Sequence, residues 1–130
     1  MVATGSMQIL DILAATSSII AEGEVLQLTS TGKGDASRET YFSVISAKTA
    51  ALFAAAAQCG AIASGANDEI VAAFQKYGQE LGMAFQLSDD ALDYGGLTQE
   101  LGKKVGDDFR EGKPTLPMII AIERAKDDEL

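Results

Sequence analysis

The stretch Gly78–Gly96, GQELGMAFQLSDDALDYGG, decides the fold, because three aspartates interrupt an otherwise apolar helical pattern there. Residues three and four positions apart share a helix face, so Asp89, Asp90 and Asp93 cluster, with Gln86 one turn earlier. The apolar residues occupy too much of the helix circumference for all three acids to lie on one solvent-exposed stripe. We therefore expect some of these carboxylates to face a cavity, although a solvated acidic helix face is the plainer alternative.

The acidic cluster predicts a metal site. Neighbouring carboxylates repel one another, and burying them is costly unless a cation neutralises them. The chain contains no histidine. A cluster of hard oxygen ligands without histidine suits Mg²⁺, which binds one or two carboxylates together with water and phosphate oxygens. Asp89, Asp90 and Asp93 are therefore the predicted metal ligands, and Mg²⁺ is the predicted cofactor.

Composition narrows the class of protein. The chain has 130 residues, 47% of them hydrophobic, and a net charge of −9. A hydrophobic core can form, but nucleic acid or an anionic membrane is a poor partner for so acidic a chain. No uninterrupted apolar run reaches the ~18 residues of a transmembrane helix, and no basic region precedes the apolar stretch near the N-terminus. These features favour a cytoplasmic location. Cys59, the only cysteine, is expected to be a buried, unreactive thiol.

The hydrophobic spacing predicts helices and no strands, so the fold class is all-α. The predicted helices are Met7 to about Gln27, Arg38 to about Ser64, Asp68 to about Tyr94, and a last helix from a cap at Thr115 to about Lys126. We expect a loop over Thr29–Ser37 and a structured loop over Gly95–Pro117, with a short helical turn near Leu97–Leu101.

Two glycines lie inside the third predicted helix. Gly78 and Gly82 each cost about 1 kcal/mol relative to alanine in a helix interior. Their spacing predicts a close contact with another helix. Before that helix, Gly65 is expected to end the second helix and Asn67 to cap the third.

Several lysines lie where an anion would be needed. Lys48 lies within SAKTAALFAAAAQ, whose other residues are nearly all small or apolar. Lys103, Lys104 and Lys113 belong to a loop whose glycines allow backbone N–H groups to approach phosphate oxygens. Solvated lysines are the plainer alternative in both places. Lysines and Mg²⁺ together could hold a diphosphate and stabilise a departing pyrophosphate.

Four segments resemble a known family. AFQLSDDALDY resembles the second aspartate-rich motif of the trans-isoprenyl diphosphate synthases, the polyprenyl synthetase family, and GKKVGDDFREGKPTLP resembles the segment that follows it. AEGEVLQL and YFSVISAKTAALFAAAAQCGA resemble the two segments before it. Order and spacing agree over nearly the whole chain. The GDDFREGKPTLP segment is most similar to bacterial medium- and long-chain synthases of the octaprenyl type.

The resemblance implies a helical bundle around a deep central cavity, usually as a homodimer. It implies head-to-tail prenyl transfer, in which an allylic prenyl diphosphate ionises, isopentenyl diphosphate attacks the carbocation, and a proton is lost.

The resemblance also implies roles for particular residues. The metal and allylic diphosphate would be bound by Asp89, Asp90 and Asp93, with Asp89 the expected direct ligand. The diphosphate would contact Lys48 and one of Lys103 and Lys104, with Lys113 at the charged end of the cavity. Dipoles that stabilise the carbocation would come from Thr49 and Gln86, and Gln27 would belong to the polar lining.

One part of the family pattern lies outside this sequence. The family has a first aspartate-rich motif and basic residues for isopentenyl diphosphate, both upstream of the segments found here. Residues 1–130 therefore resemble the C-terminal portion of a single polyprenyl synthetase domain, and we expect them to lack catalysis alone. The alternatives are a non-catalytic partner subunit that binds a prenyl diphosphate in a heteromeric synthase, and a related Mg²⁺-dependent terpenoid cyclase. The GKPTLP and AKTAALF segments argue against the cyclase.

Overall fold

The computed structural model describes residues 2–33, 37–95 and 106–128. A 3₁₀ turn at Val2–Thr4 leads into helices and one π-helical turn: α1 (Met7–Lys33), α2 (Arg38–Ile45), the π turn (Ser46–Ala50), α3 (Ala51–Ala63), α4 (Asp68–Gly95), α5 (Asp107–Arg110) and α6 (Leu116–Asp128). These ranges contain no strand, so the all-α prediction is confirmed. The short turn expected near Leu97–Leu101 lies outside the described residues.

The first helix is longer than expected. It continues past Gln27 to Lys33, so the predicted loop was wrong over Thr29–Lys33. The hydroxyls of Thr29, Ser30 and Thr31 donate to main-chain carbonyls of the preceding turn at distances of 2.7 to 3.1 Å. These hydroxyls are satisfied one turn back within the helix, so a polar sequence that is typical of loops is accommodated here without unpaired hydroxyl groups.

The second predicted helix is present but is interrupted by the π turn. The Ala51 N–H bonds to the carbonyl of Ser46, five residues earlier rather than four. Helical backbone then continues to Ala63. π-helical turns are rare in proteins, and those that occur are often found at functional sites.

The boundary between α3 and α4 follows the sequence prediction. Gly65 has a φ of +79°, the left-handed conformation that ends many helices. The Asn67 side-chain oxygen accepts the Ile70 N–H at 2.9 Å, which confirms the predicted cap.

Helices α3 and α4 pack backbone to backbone in antiparallel orientation. A Cβ placed on Gly78 would lie 2.5 Å from the carbonyl oxygen of Phe53, and one on Gly82 would lie 2.6 Å from Cα of Ala50. The close helix contact predicted from the two glycines is therefore confirmed.

A small apolar core joins α2, α4 and α6. Tyr41, Ile45 and Ile119 form its buried centre. The side chains packed around them are Met83, Leu87 and Leu116. This core fixes the positions of the helices that carry the polar residues described below.

One face of α4 presents large apolar side chains to solvent. Each is between 44% and 62% exposed, and they recur at helical spacing: Ile70, Phe74, Tyr77, Leu81, Phe85 and Leu92. We call these six residues the apolar stripe. A contiguous apolar surface on a soluble protein commonly marks a place where other polypeptide packs.

The run Arg38–Ala63 is, by length and composition, the one stretch in the described residues that could cross a membrane. A core helix of a soluble protein meets the same criteria. The absence of a transmembrane segment therefore stays a prediction.

Candidate active site

A cavity of about 230 Å³ lies between α1, the π turn, α4 and the segment before α6. Most of the residues singled out from the sequence line it: Gln27, Lys48, Thr49, Gln86, Asp89, Asp90 and Lys113. Asp93 is one turn further along α4 and is not part of the lining. Lys103 and Lys104 lie outside the described residues, so their role stays a prediction.

Lys48 projects from the π turn toward α1. Its ammonium nitrogen lies 2.7 Å from a carboxylate oxygen of Glu24 and donates to the Gln27 side-chain oxygen at 2.5 Å. The approach of α1 depends on Gly23, where an added Cβ would lie 2.8 Å from Cβ of Ala47 and 2.9 Å from the Lys48 nitrogen. The anionic partner that Lys48 was expected to need is thus Glu24 of α1.

Four side chains form a hydrogen-bonded row along the cavity wall. The Thr49 hydroxyl donates to the Gln86 side-chain oxygen at 2.9 Å, and the Gln86 amide nitrogen donates to Oδ1 of Asp90 at 2.8 Å. The Tyr41 hydroxyl donates to Oδ2 of Asp90 at 2.5 Å. The row therefore connects α2, the π turn and α4, and both oxygens of Asp90 accept protein donors.

The three predicted acids occupy different environments. Asp89 is exposed at the cavity, Asp90 is buried, and Asp93 is half-buried. Burial raises the pKa of Asp90, and the hydrogen bonds from Tyr41 and Gln86 lower it. The negative charges of Asp89 and Asp93 also raise the pKa of Asp90, and the net shift is upward. Burial and the bond to Asp90 raise the pKa of the Tyr41 phenol.

Asp93 joins the end of α4 to the start of α5. Its Oδ2 accepts the Asp108 N–H at 3.1 Å, and its main-chain carbonyl accepts the Gly106 N–H at 2.8 Å. This connection carries Asp108 to the cavity. Burial and then the charges of Asp93 and Asp90 raise the pKa of Asp108, while Lys113 lowers it. Sequence reasoning treated Asp108 as part of a basic loop and missed its place in the acidic cluster.

The three acids do not converge on one metal position. Within the described ranges, no group of three or more acidic, cysteine or histidine side chains is arranged to hold a metal ion. Both oxygens of Asp90 accept protein donors and Asp93 does not line the cavity, so Asp89 is the carboxylate best placed to bind a cation together with the phosphate oxygens of a ligand.

Lys113 completes the positive side of the cavity. Its ammonium lies 2.6 Å from a Glu111 carboxylate oxygen, and that hydrogen bond is the main reason that its pKa is raised. The adjoining Thr115 precedes α6 as expected, and its carbonyl accepts the Ile119 N–H at 3.0 Å. The predicted side-chain cap was wrong, since the buried Thr115 hydroxyl makes no hydrogen bond within the described residues. Backbone bonding alone starts this helix.

Comparisons with known proteins agree with the motif resemblance. The octaprenyl diphosphate synthase of Escherichia coli (strain K12) is 49% identical over 122 residues, which are 94% of this chain and 38% of that protein. The octaprenyl diphosphate synthase of Haemophilus influenzae is 50% identical over 117 residues, covering 90% of this chain and 36% of that protein. The chain thus spans well under half the length of these relatives.

Solved structures share the fold. A polyprenyl synthase from Caulobacter crescentus CB15, complexed with calcium and isoprenyl diphosphate, superposes with a TM-score of 0.90 at 55% identity. That match covers 95% of this chain and 38% of the other. A decaprenyl diphosphate synthase from Rhodobacter capsulatus superposes with a TM-score of 0.83 at 50% identity, covering 96% and 40%.

The family profile described as polyprenyl synthetase matches residues 1–130, the whole length of the sequence. The motifs, the helical fold and the relatives lead to the same assignment: the chain belongs to the polyprenyl synthetase family.

Proposed function

We propose that the complete protein carrying this chain is a Mg²⁺-dependent prenyltransferase. It condenses an allylic prenyl diphosphate with isopentenyl diphosphate to make polyprenyl diphosphates. The observation that carries the proposal is the arrangement of Lys48, Lys113 and Asp89 around the same cavity as the Thr49–Gln86 pair. The names of the relatives, which are synthases of prenyl diphosphates, support it.

The diphosphate of the allylic substrate binds at the charged end of the cavity. Lys48 and Lys113 supply positive charge there, and Asp89 holds Mg²⁺ with the diphosphate oxygens. When bound, Mg²⁺ neutralises the negative charge that grows on the pyrophosphate as it departs. Lys48 exchanges its contacts with Glu24 and Gln27 for contacts with phosphate oxygens. Its ammonium group then stabilises the negative charge on the departing pyrophosphate. The C. crescentus protein, which is complexed with calcium and isoprenyl diphosphate, supports the use of a divalent cation with a prenyl diphosphate.

The carbocation forms next to the Thr49–Gln86 pair. Both side chains are uncharged, and their oxygens line the cavity without offering a nucleophile strong enough to trap the cation. Their dipoles stabilise the positive charge until isopentenyl diphosphate attacks.

The remaining parts of the proposal concern the complete protein. Residues 1–130 form the C-terminal portion of one polyprenyl synthetase domain, and the rest of that domain packs on the apolar stripe of α4. The family resemblance supports a cytoplasmic homodimer.

A prenyl-transfer assay on the complete protein tests the proposal. Labelled isopentenyl diphosphate, an allylic diphosphate and Mg²⁺ are expected to yield labelled polyprenyl diphosphate, and the 130 residues alone are expected to yield none. The substitution Asp89→Ala should lower turnover at least about tenfold, equivalent to ~1.4 kcal/mol of transition-state stabilisation, with the fold retained.

Glu80→Ala is the matched control, because Glu80 is an exposed acid on the same helix and does not line the cavity. It should leave turnover unchanged. Equal turnover in the Asp89→Ala variant and the unsubstituted protein, at limiting Mg²⁺, would refute the assignment of Asp89.

A further inference from the structure

Tyr41 is the member of the hydrogen-bonded row that also belongs to the buried apolar core. Its ring packs with Ile45 and Ile119, and the residue is 6% exposed. Its hydroxyl nevertheless ends on Asp90, the buried acid at the cavity wall. A phenylalanine would fill the same apolar space, so packing alone does not explain why this residue carries a hydroxyl group.

The direction of every hydrogen bond in the row follows from Asp90. Both oxygens of Asp90 act as acceptors, one for Tyr41 and one for Gln86, so Gln86 presents its NH₂ group to Asp90. The Gln86 oxygen then faces Thr49, which must donate to it. The hydroxyl proton of Thr49 is thus committed to the protein, and the side-chain oxygens of Thr49 and Gln86, both of which line the cavity, keep lone pairs that can interact with a cation.

The direction of these hydrogen bonds determines the sign of the electrostatic potential that Thr49 and Gln86 produce in the cavity. Oxygen lone pairs directed at a developing cation stabilise it, whereas a reversed Gln86 amide would present N–H groups of the opposite polarity. The amide holds its orientation while Asp90 stays in place to accept its N–H group. The Tyr41 hydroxyl fixes Asp90 by binding the carboxylate oxygen that Gln86 does not use.

We propose that Tyr41 is a positioning residue, which sets the orientation of the Gln86 amide through Asp90 and thereby keeps Thr49 and Gln86 polarised toward the cation. This inference rests on the proposed function for its catalytic consequence. It also assigns Asp90 a different role from Asp89: Asp90 anchors the row of donors, and Asp89 faces the ligand.

The first experiment observes the amide itself. The complete protein is labelled with ¹⁵N at glutamine side chains, and the Gln86 signal is identified by its loss in a Gln86→Glu variant. Tyr41→Phe should shift the Gln86 NH₂ signals. The Gln79 NH₂ group, which donates to Ser46 at 2.9 Å on another part of α4, is the internal control and should not shift.

The second experiment measures catalysis and binding separately. Tyr41→Phe should lower kcat by roughly tenfold, while Mg²⁺-dependent affinity for inorganic pyrophosphate changes by less than about twofold. The loss of kcat should be larger for a fluorinated allylic diphosphate, whose carbocation is less stable. Ser17→Ala is the control, because it removes an exposed α1 hydroxyl that donates to the carbonyl of Leu13 and does not line the cavity. It should change none of these quantities.

Each result decides a separate point. An unshifted Gln86 signal in Tyr41→Phe would overturn the positioning role, and so would equal losses of pyrophosphate affinity and kcat. If the unsubstituted protein transferred no prenyl group, the proposed function would fail, whereas the Gln86 signal would still decide whether Tyr41 orients the amide.

Discussion

The substitution Gly82→Ala tests whether the close contact of α3 and α4 positions the cavity wall. An added Cβ would lie 2.6 Å from Cα of Ala50 and 3.1 Å from Cβ of Phe53. Carbon atoms pack best at about 3.5 to 4.0 Å, so the helices must separate by roughly 1 Å. The nearest atom belongs to the backbone and cannot rotate away.

The energetic cost can be estimated from two opposing effects. Overpacking against a backbone costs about 2–3 kcal/mol, and replacing glycine by alanine inside a helix returns about 1 kcal/mol. The expected net loss of stability is therefore about 1–2 kcal/mol. A separation of roughly 1 Å would also stretch the 2.9 Å bond between Thr49 and Gln86 beyond hydrogen-bonding range, which should lower turnover by about tenfold.

Thermal and urea unfolding, together with the prenyl-transfer assay, measure these effects in the complete protein. Gly60→Ala is the matched control: Gly60 is also helical, but an added Cβ there meets no atom within 4 Å. It should be neutral or stabilising by up to about 1 kcal/mol, with unchanged turnover. A Gly82→Ala variant as stable and as active as Gly60→Ala would refute the reasoning.

Two further predictions concern a charge and a thiol. Glu24→Gln removes the carboxylate that competes with a ligand for Lys48. Titration calorimetry should therefore give about two- to fivefold tighter binding of Mg²⁺–pyrophosphate. Glu22→Gln is the control, and weaker binding in Glu24→Gln would contradict this. Burial raises the pKa of the Cys59 thiol, so labelling by a thiol reagent near pH 8 should be at least about a hundredfold slower in the folded protein than in urea. Because the folded-state pKa is raised, the stability that this thiol contributes is present below its unfolded pKa and is lost as pH rises through the folded value. Cys59→Ala should remove the part of the stability loss at alkaline pH that comes from ionisation of this thiol. An unchanged dependence of stability on pH in that variant would contradict the prediction.

Local patterns in the sequence predicted much of the fold. The periodicity of the hydrophobic residues predicted the long helices. Gly65 and Asn67 predicted the boundary between α3 and α4. Glycines at 78 and 82 predicted a contact between helices because glycine is otherwise unfavourable in a helix interior. These features depend on residues within a few turns of one another, which is why they could be read without a structure.

Features that depend on distant partners could not be read in this way. The polar run after Gln27 is an exception: its hydroxyls bond locally to carbonyls one turn earlier, and composition alone does not separate that arrangement from a loop. Asp108 reaches the cavity only because Asp93 binds its backbone. No local pattern could separate the role of Asp90 from that of Asp89, since their difference comes from burial and from Tyr41 on another helix.

The π turn at Ser46–Ala50 makes chain length, rather than residue identity, the sensitive property of this segment. Its wider hydrogen bonding accommodates one more residue than an α-helical turn would. Deleting Ala47 would let the ladder close as an ordinary α-helical turn, and the later side chains of that helix would keep their orientation relative to the preceding part, because the extra residue is the one removed. The change would be confined to the turn that carries Lys48 and Thr49, so a one-codon loss here would alter the cavity wall while the packing of α3 on α4 stayed in register.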